Sequence, residues 1–209
     1  MKFHVPRVYP LTDVRLTGLS HAQQVRELIA GGATLVQLRE KHSSPREFCE
    51  QARAALQVAR ECGVPLLIND RVDIALAIGA DGVHLGQDDL PPAAARQLLG
   101  PNAIIGYSTH NLEQAQLAAN LPVDYIAIGP IFQTRSKEKP DPVVGLDGLR
   151  KVREVITKLP LVAIGGIDHT NAQAVINAGA DSVAVINSVL VPSNTISANI
   201  SSLIQLLQL

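Results

Sequence analysis

The chain has 209 residues, 46% of them hydrophobic, and its 18 basic and 19 acidic side chains leave a net charge of -1. That length fills one core, and no Gly/Ser/Pro-rich linker or shift of composition divides it, so one domain over 1–209 is expected. There is no basic surplus to neutralise a phosphate backbone, which argues against nucleic acid as a partner.

Met1 to Asp13 carries Lys2 and Arg7 but no apolar h-region, so a signal peptide is not expected there. No apolar run reaches the ~18 residues that would suggest a membrane span. The first strand-like run is Val8–Thr12, although its Pro10 cannot donate to a ladder. A helix follows Ser20, with Val25, Leu28 and Ile29 at helical spacing and Gly31 at its end. After the second strand-like run, Thr34–Leu38, comes a clear helix start. Ser44 stands at the N-cap, Pro45 at the first helical position and Glu47 where a capping box needs it. Cys49 and Cys62 fall on this helix, separated by roughly 20 Å at ~1.5 Å per residue. A disulfide spans at most about 7 Å, so both are free thiols, as in a reducing cytoplasm.

Six more apolar runs follow: Pro65–Asn69, Gly82–Leu85, Ile104–Ser108, Tyr125–Ile128, Leu161–Ile164 and Ser182–Ile186. Helix-like segments separate them. A weak repeat marks every other strand. Gly32-Ala33-Thr34, Gly79-Ala80-Asp81, Pro122-Val123-Asp124 and Gly179-Ala180-Asp181 each stand just before one. Aromatics make up only 3% of the chain, and the core must therefore be aliphatic, as in the layered interior of a parallel barrel. The pattern predicts an α/β fold, a single (β/α)8 TIM barrel. An open doubly wound sheet is the competing arrangement, but it seldom needs eight such uniform units.

In such a barrel chemistry belongs at the C-terminal ends of the strands. Gln37, Arg39 and Lys41 alternate along one strand face, where an amide and two cations suit a diphosphate. Asn69-Asp70 and Gln87-Asp88-Asp89 end neighbouring strands, close enough for two carboxylates to share a hard cation such as Mg²⁺. Asp70 and Asp88 also suit the N-caps of the helices that follow. Ser108 ends the fifth strand as a hydrogen-bonding candidate, with Thr109 and Asn111 placed to cap the next helix. His84 and His110 lack metal-ligand spacing and are expected to be structural.

The stretch Gly129–Pro142 has neither period and is long for a barrel connection. Thr134, Arg135, Ser136 and Lys137 give it phosphate-binding chemistry and the character of an active-site lid. Gly165-Gly166 and Asn187-Ser188 follow the seventh and eighth strands, the recurrent phosphate address of this fold.

Gln37-Leu38-Arg39-Glu40-Lys41, Asn69-Asp70-Arg71-Val72-Asp73 and His84-Leu85-Gly86-Gln87-Asp88-Asp89 resemble successive motifs of the thiamine-phosphate synthase family. Gly106–His110, Gly129–Lys137 and Ala163–Ile167 continue the likeness, which runs from about Val8 to Leu190. The resemblance implies that the Gln37–Lys41 segment binds an aminopyrimidine diphosphate together with Asn69, Ser108 and Lys137. It implies Asp70 and Asp89 as Mg²⁺ ligands, with Asp88 a cap or an outer neighbour. Thr134, Arg135, Ser136, Gly166, Ile186 and Asn187 would hold a thiazole phosphate. Arg39, Lys137 and Ser108 would act at the reacting centre. In the family, diphosphate leaves first and the thiazole nitrogen captures the resulting cation, so no side-chain nucleophile is needed. The chain departs from the family pattern at Ser136 (often threonine), in its less basic Glu138–Asp141 stretch, and at Asn187-Ser188 (usually Ser-Ala).

A related isomerase, the thiazole tautomerase, keeps a catalytic histidine where this chain has Pro130. A degenerate barrel that only binds thiazole phosphate would have no use for Gln37, Arg39, Lys41, Asp70 and Asp89 together. The sequence thus points to an Mg²⁺-dependent transferase acting on small molecules, without nucleic acid or membrane, and leaves a homo-oligomer open.

Overall fold

Eight parallel strands pair in chain order and close on themselves, β8 returning to β1. The computed structural model describes residues 4–134 and 141–208. The strands are β1 (Val8–Thr12), β2 (Val36–Leu38), β3 (Leu66–Asn69), β4 (Gly82–Leu85), β5 (Ile104–Thr109), β6 (Tyr125–Ile128), β7 (Leu161–Ile164) and β8 (Ser182–Val185). The closed order excludes the open sheet. Pro10 is accommodated within β1, where Tyr9 pairs with Ala184 and Leu11 with Gln37. In a parallel strand successive N–H groups serve alternate neighbours, so its missing donor costs a single rung.

Between the strands lie α1 (Val14–Thr17), α2 (His21–Ala30), α3 (Pro45–Glu61), α4 (Val72–Ile78), α5 (Pro92–Leu99), α6 (Leu112–Ala118), α7 (Gly145–Val155) and α8 (Ala172–Asn177). After β8 come the short α9 (Asn187–Leu190) and a final α10 (Ile196–Leu207). Ser20 and Ser44 each close a capping box, with Gln23 and Glu47 respectively. Both satisfy helix-end N–H groups that would otherwise lack partners. The cysteines are free, Cys49 half-buried on α3 and Cys62 exposed at its end.

Strand alternation divides the apolar residues into two layers. Tyr9, Leu11, Leu35, Leu67, Tyr125, Ala127, Val162 and Ala184 fill the barrel, and the larger aliphatic set packs between sheet and helices. Most inward-facing residues near the C-terminal rim are small or polar, among them Ala127, Ala184, Gln37, Asn69 and Ser108, with Ile164 the larger apolar member. They leave the barrel open at that end.

The alternating Asp motif has a definite role at the other end. Asp81, Asp124 and Asp181 each accept a backbone N–H through Oδ2, from Leu66, Ile105 and Leu161 respectively, all at 2.8 Å. Each aspartate N–H in turn donates to the same odd strand's backbone, except that Asp124 and Asp181 make the shorter bonds, 2.8 Å against 3.2 Å. The motif therefore ties an even strand to the odd strand before it, rather than capping its own turn.

Candidate active site

A cavity of about 1030 Å³ opens at the C-terminal rim. Gln37, Arg39, Lys41, Asn69, Asp70, Asp88, Asp89, Ser108, Thr134, Gly166, Ile186 and Asn187 all line it. Arg135, Ser136 and Lys137, with the lid character inferred for them, lie outside the described residues.

The β2 segment behaves as strand alternation requires. Gln37, Arg39 and Lys41 face the cavity; the side chains of Leu38 and Glu40 do not. Leu38 is fully buried among the helices. The Glu40 carboxylate folds back to accept N–H groups of His42 at 2.6 Å and Ser43 at 3.0 Å, and it faces His21. These two side chains therefore pack behind the cavity and shape the loop that carries Lys41. Arg39 is held by Asp13 at 2.7 Å.

Asp70 and Asp89 meet. Lys41 Nζ makes a close ion pair with Asp70 Oδ2, and Asp89 Oδ2 accepts the Gly86 N–H at 2.7 Å. Burial pushes the Asp89 carboxyl up from its usual range, the Gly86 N–H opposes this, and the adjoining Asp70 adds to the rise. The alternative role as helix caps fails for both Asp70 and Asp88. Arg71 and Pro91 occupy the N-cap positions of α4 and α5, and neither helix has a side-chain cap. Asp70 instead takes φ 64°, and its carboxylate lies at the cavity.

This donor set fits Mg²⁺. Two oxygen-only ligands are forced together in a partly buried place, which a divalent cation relieves. Among the described residues no group of three or more His, Cys, Asp and Glu side chains gathers as a metal cage. The remaining coordination would fall to water and substrate oxygens, the usual habit of Mg²⁺.

Across the mouth the ends of β7 and β8 form a second lobe. Gly165 and Gly166 both have positive φ, 103° and 66°, and both line the cavity, where the absence of side chains lets a ligand approach the backbone. A Cβ at Gly166 would lie 2.6 Å from the Gln133 carbonyl oxygen. That contact shows how closely 131–134 is strapped to β7, and Ile131 and Phe132 N–H groups donate there at 2.9 Å. The strap sets Thr134 at the rim. Asn187 and Ser188 line the same side.

The floor contains residues that the sequence did not single out for function. Tyr9 and Tyr125 are buried and share a hydrogen bond of 3.0 Å. His84 Nδ1 meets the Tyr125 hydroxyl at 2.8 Å, and its Nε2 meets Ser108 Oγ at 2.8 Å. Burial lowers the His84 pKa to about 4, so the ring is neutral. His84 is structural in the sense expected, yet it lines the cavity and holds a site residue. Inward parity with Gly82 and Gly106 was the available signal. His110 anchors the Gly129 carbonyl at 2.7 Å, Asn111 caps α6, and Thr109 bonds the Ala127 carbonyl.

A (β/α)8 barrel with paired carboxylates, cations and a glycine pair around one mouth is the architecture of an enzyme that handles phosphorylated small molecules. The comparisons are specific. Residues 8–189 match the thiamine monophosphate synthase family, and the chain belongs to that family of transferases. It is 53% identical over 194 residues to a thiamine-phosphate synthase of Koribacter versatilis, covering 90% of each chain. It is 48% identical over 193 residues to one of Chloroflexus aurantiacus, covering 92% of this chain and 88% of that one. The solved thiamine phosphate pyrophosphorylase of Pyrococcus furiosus superposes with TM-score 0.86 at 39% identity, covering 97% of this chain and 95% of the other. Thiamine-phosphate synthase activity in thiamine biosynthesis is the function these likenesses support.

Proposed function

We propose that the enzyme joins an aminopyrimidine diphosphate to a thiazole phosphate or its carboxylated form, releasing diphosphate, in an Mg²⁺-dependent reaction. The observation that carries this reading is the Asp70–Asp89 pair beside Arg39 and Lys41, set across one mouth from the Gly165–Gly166 pair. Strands β3 and β4 stand opposite β7 and β8 in an eight-stranded ring, so two anionic substrates would place their rings between the lobes.

Arg39 and Lys41 would bind the diphosphate, held by Asp13 and Asp70 until it arrives. Asp70 and Asp89 would hold Mg²⁺, which when bound supplies positive charge to phosphate oxygens. Gln37, Asn69 and Ser108 would seat the pyrimidine over the floor. The C–O bond to diphosphate breaks with its electron pair leaving on oxygen, and the thiazole nitrogen lone pair forms the new C–N bond. The Gly166, Ile186 and Asn187 backbone and the Thr134 hydroxyl would hold the thiazole phosphate, with Ser136. Lys137 would sit with the departing diphosphate. Ala127, Val162, Ile164 and Ala184 give the centre apolar walls that keep water from the cation. Pro130 stands where the tautomerase would need its histidine.

Among the described residues no helix is long and apolar enough to cross a membrane. The free thiols support placing the enzyme in a reducing cytoplasm. The test is incubation with both substrates and Mg²⁺, followed by mass detection. Thiamine phosphate should form with Mg²⁺ and fail to form with a chelator. Its absence under all conditions would overturn the reading.

A further inference from the structure

Five side chains cross the barrel floor as one hydrogen-bonded chain. Gln37 Nε2 donates to the Tyr9 hydroxyl at 2.8 Å, Tyr9 meets Tyr125, Tyr125 meets His84 Nδ1, and His84 Nε2 meets Ser108 Oγ. Gly106 makes the crossing sterically feasible, because a Cβ there would lie 2.0 Å from the Tyr125 ring and 2.5 Å from His84 Nδ1.

Each tyrosine has one proton, which gives the chain a direction. Tyr9 receives the Gln37 amide proton, so its own proton goes to the Tyr125 oxygen. The Tyr125 proton then goes to His84 Nδ1, and His84 carries its proton on Nε2 and donates it to Ser108. Reversing any link leaves a donor or acceptor unmatched in a dry place, or requires all of them to reverse together. At one end Gln37 Oε1 is buried without a hydrogen-bond partner, on a side chain lining the cavity. At the other, the Ser108 hydroxyl proton is available to a ligand.

We propose that Tyr9 and Tyr125 are specificity-determining residues: they hold this polarity, so that Gln37 offers an acceptor and Ser108 a donor. The site then takes a heterocycle that directs an amino group at Gln37 and rejects the counterpart carrying an oxo group. The inference rests on the pyrimidine reading above and deepens it, since neither tyrosine is among the residues given a substrate contact there.

Two measurements decide it. In the ligand-free protein, long-range ¹H–¹⁵N spectra of ¹⁵N-histidine should show His84 protonated at Nε2. A ring protonated at Nδ1 would overturn the proposed polarity whatever the enzyme's substrate. Calorimetry should then show the aminopyrimidine diphosphate bound at least about 100-fold more tightly than its oxo analogue, as expected of a site built around a hydrogen bond. In Tyr125→Phe and in Tyr9→Phe the ratio should fall about tenfold or more, while affinity for inorganic diphosphate stays unchanged. Both variants keep the ring and its packing; should one fail to fold, the other decides. Equal weakening of both pyrimidines, with the ratio kept, would sink the specificity role. Failure of the wild type to bind either pyrimidine would instead strike the proposed substrate, leaving the tautomer measurement to judge the polarity.

Discussion

Asp70 is the one non-glycine residue among those described with a left-handed backbone, φ 64°. Such a conformation costs on the order of 1 kcal/mol, and aspartate bears it better than most residues. Here the Asp70 N–H donates to the His84 carbonyl at 2.8 Å, and the carboxylate meets Lys41. Local strain of this kind is at home in a site whose surroundings hold it in place. Asp89 differs from its neighbour Asp88 in accepting the Gly86 N–H and in adjoining Asp70. On the proposed Mg²⁺ role, Asp89→Ala should therefore lower turnover by about a hundredfold or more. Asp88→Ala, which removes no helix cap, should leave stability within about 0.5 kcal/mol of wild type. Steady-state rates across an Mg²⁺ titration and denaturant midpoints measure the two effects. Loss of turnover in Asp88→Ala, with Asp89→Ala spared, would shift the ligand assignment to Asp88.

At the scale of elements, Asp124 links three parts of the barrel base. Its Oδ2 accepts the Ile105 N–H at 2.8 Å and an Arg96 guanidinium N–H at 2.7 Å, joining β5, α5 and the entry to β6. Charge-assisted bonds to backbone contribute roughly 1.5–3 kcal/mol. Asp124→Ala should lower stability by about 2 kcal/mol, or some 4–8 °C in Tm for a domain of this size. Turnover at 25 °C should persist, because the residue is at the end of the barrel away from the cavity. Calorimetric melting beside an activity assay tests both halves. The recurrence of this motif, four-fold with aspartate at three of the sites, was visible in the sequence, as were the eight strands and the Ser44 capping box. Its bonding partner was not, because that partner is the odd strand before it, brought alongside only when the sheet closes. Likewise the period-two face of Gln37, Arg39 and Lys41 was legible, whereas the Tyr9–Tyr125–His84 crossing joins β1, β6 and β4 through the interior. No local pattern encodes contacts of that range. The cap roles expected of Asp70 and Asp88 were sound as local chemistry and lost to the backbone turn that brings Asp70 to the mouth.

For the whole molecule, the buried neutral histidines set the acid limit of stability. Burial lowers the pKa of His84 from 6.5 to about 4, with Asp70 opposing and Lys41 assisting. Burial also lowers that of His21, against the attraction of Glu40 and Asp13. The unfolded chain takes up these protons near 6.5, the folded protein only at lower pH. Between those values the unfolded state binds more protons, so stability decreases as pH falls. Carboxylates held low by hydrogen bonds, Asp73 from Arg71 and Asp168 from Thr170, lose their contribution only below their ordinary 3.8. In the interval from pH 6.5 to 4.5 the histidines therefore lower stability as pH falls, with the raised Asp89 carboxyl acting in the opposite direction. His84 alone is worth on the order of 3 kcal/mol across its full range. Denaturant unfolding at steps from pH 7.5 to 4.5 should show a plateau above about 7 and a steady decline below about 6.5. His84→Asn should start from lower stability at neutral pH, because it cuts the floor chain, but should show a shallower decline. A wild-type curve flat to pH 4.5, or a variant curve parallel to it, would mean that the His84 ring is accessible to protons without unfolding.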